Sequence, residues 1–143
     1  MFYKFRYERN GKIYTHLLPN PVNCDIDYEK VAKEGSGRSG NSGTMSLEYL
    51  GLATIIKMSW DLMPEEKQYR NLIKILESLP DFFTFIYPSP DGDLTKEIEC
   101  YNNKWSISIF KIKNNNAYFR GLVTTFTSKD LQEITDLEPI LEE

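Results

Sequence analysis

Gly35, Gly37 and Gly40 stand in a Gly-x-Gly-x-x-Gly spacing, the pattern through which backbone N–H groups and a helix N-terminus meet a pyrophosphate. That chemistry requires a hydrophobic strand before the glycines and a helix after them. Here a charged segment precedes and a strand-like run follows, so the dinucleotide reading fails. A kinase glycine loop would also need its lysine, catalytic Asp and metal-binding motifs in a much longer chain. The same stretch fits Gly-x-x-x-x-Gly-x-Ser from Gly35 to Ser42, but Asn41 stands where a phosphate loop needs lysine. Arg38 is the one cation between Gly35 and Gly43, and its planar fork suits a carboxylate or carbonyl on a neighbouring subunit.

The other reactive side chains are scattered. His16 is the single histidine, which removes triads, His-based metal sites and mechanisms with a second imidazole. Cys24 and Cys100 are far apart and neither has a CxxC partner, so zinc is unsupported and two reduced thiols are expected. Asp25 with Asp27, Asp91 with Asp93, and Glu97 with Glu99 are carboxylate pairs at i, i+2. None sits in a glycine-centred calcium loop, and Asp91-Gly92-Asp93 reads as turn chemistry. Neither catalytic residue nor metal nor cofactor is expected.

The elements that would position these groups follow from composition and pattern. A chain of 143 residues with 41% hydrophobic and 13% aromatic content is rich enough to bury a core, and one domain spanning 1–143 is expected. The net charge of −4 argues against direct nucleic-acid recognition, which needs an excess of Lys and Arg. Neither a signal-peptide core nor an apolar run of membrane-spanning length is visible, so no membrane association is expected.

Residues 2–17 alternate around Arg9-Asn10-Gly11-Lys12 and predict a hairpin. Pro19-Asn20-Pro21 breaks regular structure, and residues 23–34 fit a short helix or an extended arm equally. Gly35 to Gly43 holds four glycines and three serines, which predicts a flexible loop or arm over 35–50. Thr44 to Trp60 reads as a long strand with a bulge or bend at Gly51. Pro64-Glu65-Glu66 opens an amphipathic helix over 64–78, with Leu72, Ile73 and Leu76 on its apolar side and Pro80 closing it.

Phe82 to Tyr87, Thr95 to Tyr101, Trp105 to Ile109 and Tyr118 to Thr127 read as strands, with turns at Pro88–Gly92, Asn102-Asn103 and Asn114–Asn116. In the last strand Phe119 and Val123 are placed on one face, Leu122 and Phe126 on the other. Residues 128–143 form an acidic tail in which Ser128 caps a short helix through Ile134. The fold class expected is α+β, mainly β: an antiparallel sandwich or barrel with one helix packed against it. Surplus aromatic residues point to protein contacts, with Tyr49 and Leu50 as the leading positions.

The order of several short motifs adds to this. Pro19-Asn20-Pro21, Asp27-Tyr28, Ser36-Gly37-Arg38 with Gly43-Thr44-Met45, Lys57-Met58-Ser59-Trp60 and Leu62-Met63-Pro64-Glu65-Glu66 come in sequence. Phe83-x-Phe85-x-Tyr87, Asp91-Gly92 and Cys100-Tyr101 follow them. Over residues 19–126 this order resembles small structural proteins from the tail genes of tailed bacteriophages and prophages. The resemblance implies a tail tube or baseplate-type part that self-associates into rings or stacked rings and meets other tail proteins. It implies residence in the virion tail after synthesis in the bacterial host cytoplasm. Gly37, Arg38, Ser39, Gly40, Met45, Tyr49 and Leu50 are the expected subunit contacts. The competing expectation is a small monomeric adaptor or regulatory protein that binds one phage or host protein.

Overall fold

The computed structural model describes residues 3–32, 37–38, 45–46, 48–62 and 67–134. In chain order the elements are β1 (Lys4–Arg9), β2 (Lys12–Leu17), β3 (Asn23–Ala32), β4 (Gly37–Arg38), β5 (Met45–Ser46), β6 (Tyr49–Leu62), α1 (Lys67–Ser78), β7 (Phe83–Tyr87), β8 (Lys96–Lys113) and β9 (Asn116–Ser128). Seven strands form one antiparallel sheet in the order β2-β1-β7-β8-β9-β6-β3, while β4 and β5 make a separate two-stranded ladder. Among the described residues the architecture is mainly β with one helix, and the large sheet is open: β2 and β3 are its edges.

Local chemistry accounts for the connections. Asn10 and Gly11 both take left-handed φ, 54° and 76°, which is the type I′ turn whose twist matches a two-residue hairpin. Asn114 and Asn115 repeat the arrangement at 52° and 61°, joining β8 to β9. Asparagine tolerates this region because its short amide bonds locally.

One face of the sheet holds the core. Registered pairs such as Phe5↔Phe85, Phe85↔Ile98, Phe126↔Ile56 and Ile56↔Ile26 keep apolar side chains together across the strands. The rings of Phe5, Phe83 and Phe85 lie 5.2, 5.7 and 5.2 Å from that of Phe126, in edge or tilted contacts. Leu72 and Leu76 of α1 complete this cluster, as the helical period requires. The helix end is held from β1: the Arg9 guanidinium donates to the Ser78 carbonyl at 2.7 Å, placing a cation at the negative end of the helix dipole.

The connector between β2 and β3 joins the two edges of the sheet. Leu18 N–H donates to the Tyr3 carbonyl at 2.9 Å, and Val22 N–H to the Ser59 carbonyl at 2.8 Å. The fully buried Trp60 donates its indole N–H to the Pro19 carbonyl at 2.9 Å. One short segment is thus tied beside both edges of the sheet, next to β1 at one end and to β6 at the other.

One open reading is decided and three expectations need correction. Residues 23–32 are a strand paired along β6, which decides between the two readings. Asn102-Asn103 makes no turn: β8 runs through it, and its bulge there is filled by the Asn102 amide, which donates to the Thr124 hydroxyl and to the Thr125 carbonyl. The backbone polar groups thus find partners without a chain reversal. Ser128 ends β9 and caps no helix; Gln132 instead pairs with Leu52 through reciprocal backbone bonds of 2.8 Å. In β9 the register shifts at Gly121, whose φ of 67° suits glycine. Phe119 and Leu122 therefore both pack toward the core, and the assumed simple alternation fails.

The bulge expected at Gly51 is present, with Leu50 as the extra residue between the Val31↔Gly51 and Ala32↔Tyr49 pairs. Here glycine is required by close approach: a Cβ would lie 2.7 Å from the Gln132 carbonyl oxygen and 2.8 Å from Leu131 Cβ.

Candidate functional site

The first candidate surface is the pair of open edges. β2 presents Ile13, Tyr14 and Leu17 at 71%, 40% and 57% exposure. Its only formally charged residue is Lys12, so it lacks the charges and prolines that usually blunt an edge strand. β3 presents Tyr28, with Val22 just before it, and carries Asp25, Asp27 and Glu29 on the face away from the core. The two edges are therefore unlike: one apolar with a single cation, the other acidic.

The second candidate surface is the hairpin of β8 and β9. β7 pairs with β8 no further than Cys100, yet β8 continues to Lys113, roughly 40 Å at a strand rise of 3.3 Å per residue. β6 follows β9 only to the Leu62↔Phe119 pair, so the distal turn overhangs both neighbours. Ile109 and Ile112 on this hairpin are 59% and 72% exposed. The Lys111 ammonium sits 4.8 Å from the centre of the Tyr118 ring across the strand pair. At the hairpin's base, Tyr101, Lys104, Ser106, Val123, Thr125 and Thr127 line a shallow groove on the face away from the core.

The expected contact residues divide three ways. Gly37 pairs with Ser46 and Arg38 with Met45 in the small β4–β5 ladder. Ser39 and Gly40 lie outside the described residues, as does most of the 35–50 segment. Tyr49 and Leu50 open β6 at 38% and 56% exposure, and the Lys30 ammonium lies 5.2 Å from the centre of the Tyr49 ring. The acidic stretch from 135 onward also lies outside the description.

The chemically reactive side chains are dispersed over the fold. Burial pushes the Cys100 thiol up to about 12, and it lies in the core; Cys24 is half-buried and its thiol is also raised, chiefly by burial. Burial likewise lifts the Tyr87 hydroxyl to about 12. His16 is shifted below its ordinary value by burial, and its Nε2 lies 3.0 Å from the Tyr7 hydroxyl. Asp91 is held down at about 2 by the Lys96 ammonium at 2.9 Å and by the Asp93 N–H at 3.0 Å, the turn chemistry expected there. Asp93 in turn accepts from the Thr95 N–H at 3.0 Å. Among the described residues, no group of three or more His, Cys, Asp or Glu is placed to hold a metal ion, and no helix is long and apolar enough to cross a membrane.

No family model matches this sequence, and no curated protein does either. Among solved structures, the chain is similar in course to one from the tail of an empty GTA particle refined helically with C6 symmetry. The two share 13% identity and a TM-score of 0.46, over 94% of this chain and 96% of that one.

Sequence reasoning placed the interface at the glycine-rich loop and passed over β2 and the β8–β9 hairpin. The signal for β2 was available: Ile13, Tyr14 and Leu17 fall on both faces of a six-residue strand, more apolar surface than one buried face can use. For the hairpin, Asn102-Asn103 mimics a turn and divides the strand that projects.

Proposed function

We propose that this protein is a structural subunit of a phage-type tail, in the tube or a tube-adjacent baseplate position, and that it works by assembling with copies of itself rather than by catalysis. The observation that supports it is the open seven-stranded sheet with two unlike, exposed edges. An edge strand offers unpaired N–H and C=O groups, and a second strand satisfies them while covering the side chains beside them. When the two mating surfaces differ, each subunit uses one edge toward each neighbour. Such heterologous contacts close into rings when the rotation permits and extend into helical stacks when it does not. The resemblance of residues 19–126 to tail-gene products supports a phage-type tail as the particle to which such rings would belong.

Size-exclusion chromatography with light scattering, together with negative-stain microscopy, tests this reading. The wild-type chain is expected to give a discrete oligomer or tubes. Ile13→Lys with Leu17→Lys is expected to give a monomer with an unchanged far-ultraviolet dichroism spectrum, because two cations on a bare edge block pairing. A wild-type chain that stays monomeric at high concentration and forms no rings refutes the proposal and favours the monomeric adaptor.

A further inference from the structure

Charge is segregated along this chain in a way that its net value hides. Between Lys104 and Arg120 there are four cations, Lys104, Lys111, Lys113 and Arg120, and no carboxylate, in a protein of net charge −4. The strand register puts these cations on one face. Lys104 and Ser106 line the same groove on the side away from the core. Ser108 pairs with Arg120, Lys111 with Tyr118 and Lys113 with Asn116, opposite the core-side pairs Ile109↔Phe119 and Ile112↔Ala117.

β3 has the complementary pattern. Asp25, Asp27 and Glu29 alternate with the core-side residues Cys24, Ile26 and Tyr28, and all three carboxylates are exposed. Successive like charges two residues apart on one strand repel one another, and in register they meet Lys57, Ile55 and Ala53, a single cation for three anions. None of the three makes an ion pair within 4.0 Å among the described residues.

The geometry points to a specific contact: the basic face of the β8–β9 hairpin of one copy docks on the acidic face of β3 in a neighbouring copy. The occupant is a second copy of this chain, because both complementary surfaces belong to it and the hairpin overhangs its own sheet. Ile109 and Ile112 are exposed on the other face of the same overhanging hairpin, apolar area that a projection built only for phosphate neutralisation would not need. Opposed charges of this kind set register and speed encounter, and they weaken as salt screens them.

This inference rests on the proposed self-assembly, and its test separates the two. The triple variant Lys104→Glu/Lys111→Glu/Lys113→Glu and the triple variant Asp25→Lys/Asp27→Lys/Glu29→Lys are each compared with wild type by light scattering, after dichroism and thermal melting confirm folding. Wild-type assembly is expected to weaken at least about tenfold between about 50 mM and about 500 mM sodium chloride. Each variant alone is expected to assemble at least about tenfold more weakly than wild type at low salt, and the equimolar mixture to recover, since each hairpin then meets a face of opposite sign. Folded variants whose mixture gains nothing, while wild type assembles, overturn the hairpin contact and leave self-assembly standing. A monomeric wild type overturns both. Binding of a fluorescein-labelled DNA duplex by wild type, lost in the lysine variant while assembly is unaffected, also overturns it by assigning the basic face to nucleic acid.

Discussion

Substituting Gly51 by alanine isolates how the segment after β9 is held. The added Cβ would lie 2.7 Å from the Gln132 carbonyl oxygen and 2.8 Å from Leu131 Cβ, both inside contact distance, and backbone cannot yield as a side-chain tip can. The segment must therefore move away from β6. Two backbone hydrogen bonds of 2.8 Å, Leu52 N–H to Gln132 and Gln132 N–H to Leu52, are the first to break. At a net 0.5–1.5 kcal/mol each, their loss amounts to about 1–3 kcal/mol of local stability. Amide exchange at Leu52 and Gln132 is then expected to accelerate roughly fivefold to a hundredfold. Amides in the β8–β9 ladder should change little, since no core side chain is lost. Exchange resolved by nuclear magnetic resonance reads this directly. Equal protection of Leu52 and Gln132 in the wild-type and Gly51→Ala proteins would refute the claim that close approach makes glycine necessary here.

Trp60→Phe removes the indole donor from the Pro19 carbonyl and leaves space in the core, so urea unfolding is expected to show a loss of about 2–4 kcal/mol with an unchanged m-value. A thiol reagent at neutral to mildly alkaline pH should label Cys24 before Cys100, and Cys100 only as fast as the chain unfolds, because its thiol is both enclosed and held near 12. Burial lowers the His16 pKa below 6.5, so the unfolded chain takes up a proton first as the solution is acidified. Stability from this group is complete above 6.5 and is lost as the pH falls through the lower folded value. Thermal melting across that range should show the decline, and His16→Gln should flatten it.

The parts of the fold legible in the sequence were those governed by short-range chemistry. Asn10-Gly11 announced its hairpin because both residues accept left-handed φ, and the apolar period of Leu72, Ile73 and Leu76 announced the helix. What could not be read was decided by partners distant in sequence. Asn102 looks like a turn residue until Thr124 and Thr125 are seen to satisfy its amide from the next strand. Ser128 has the chemistry of a cap, but its hydroxyl instead accepts the Thr54 N–H at 3.0 Å. Residues 23–32 alternate too weakly to declare a strand, since edge position leaves acid on one side and half-buried groups on the other. The exposed edges could not be read for the same reason: exposure on an edge depends on which strands end up outermost, and β2 and β3 are neighbours in sequence but opposite ends of the sheet.

That strand order has a consequence during synthesis. The first hairpin leaves the ribosome early, yet β1 finds its other neighbour only when Phe83–Tyr87 has been made, and Phe5 meets Phe126 only when the nascent chain is almost finished. Non-local pairing of this kind is slow, because loop closure must precede any gain from contact. An unfinished polypeptide therefore has no stable half to rest in. Ribosome-bound fragments ending before Phe83 are expected to leave Phe5 and Tyr7 in water, where a chaperone can reach them.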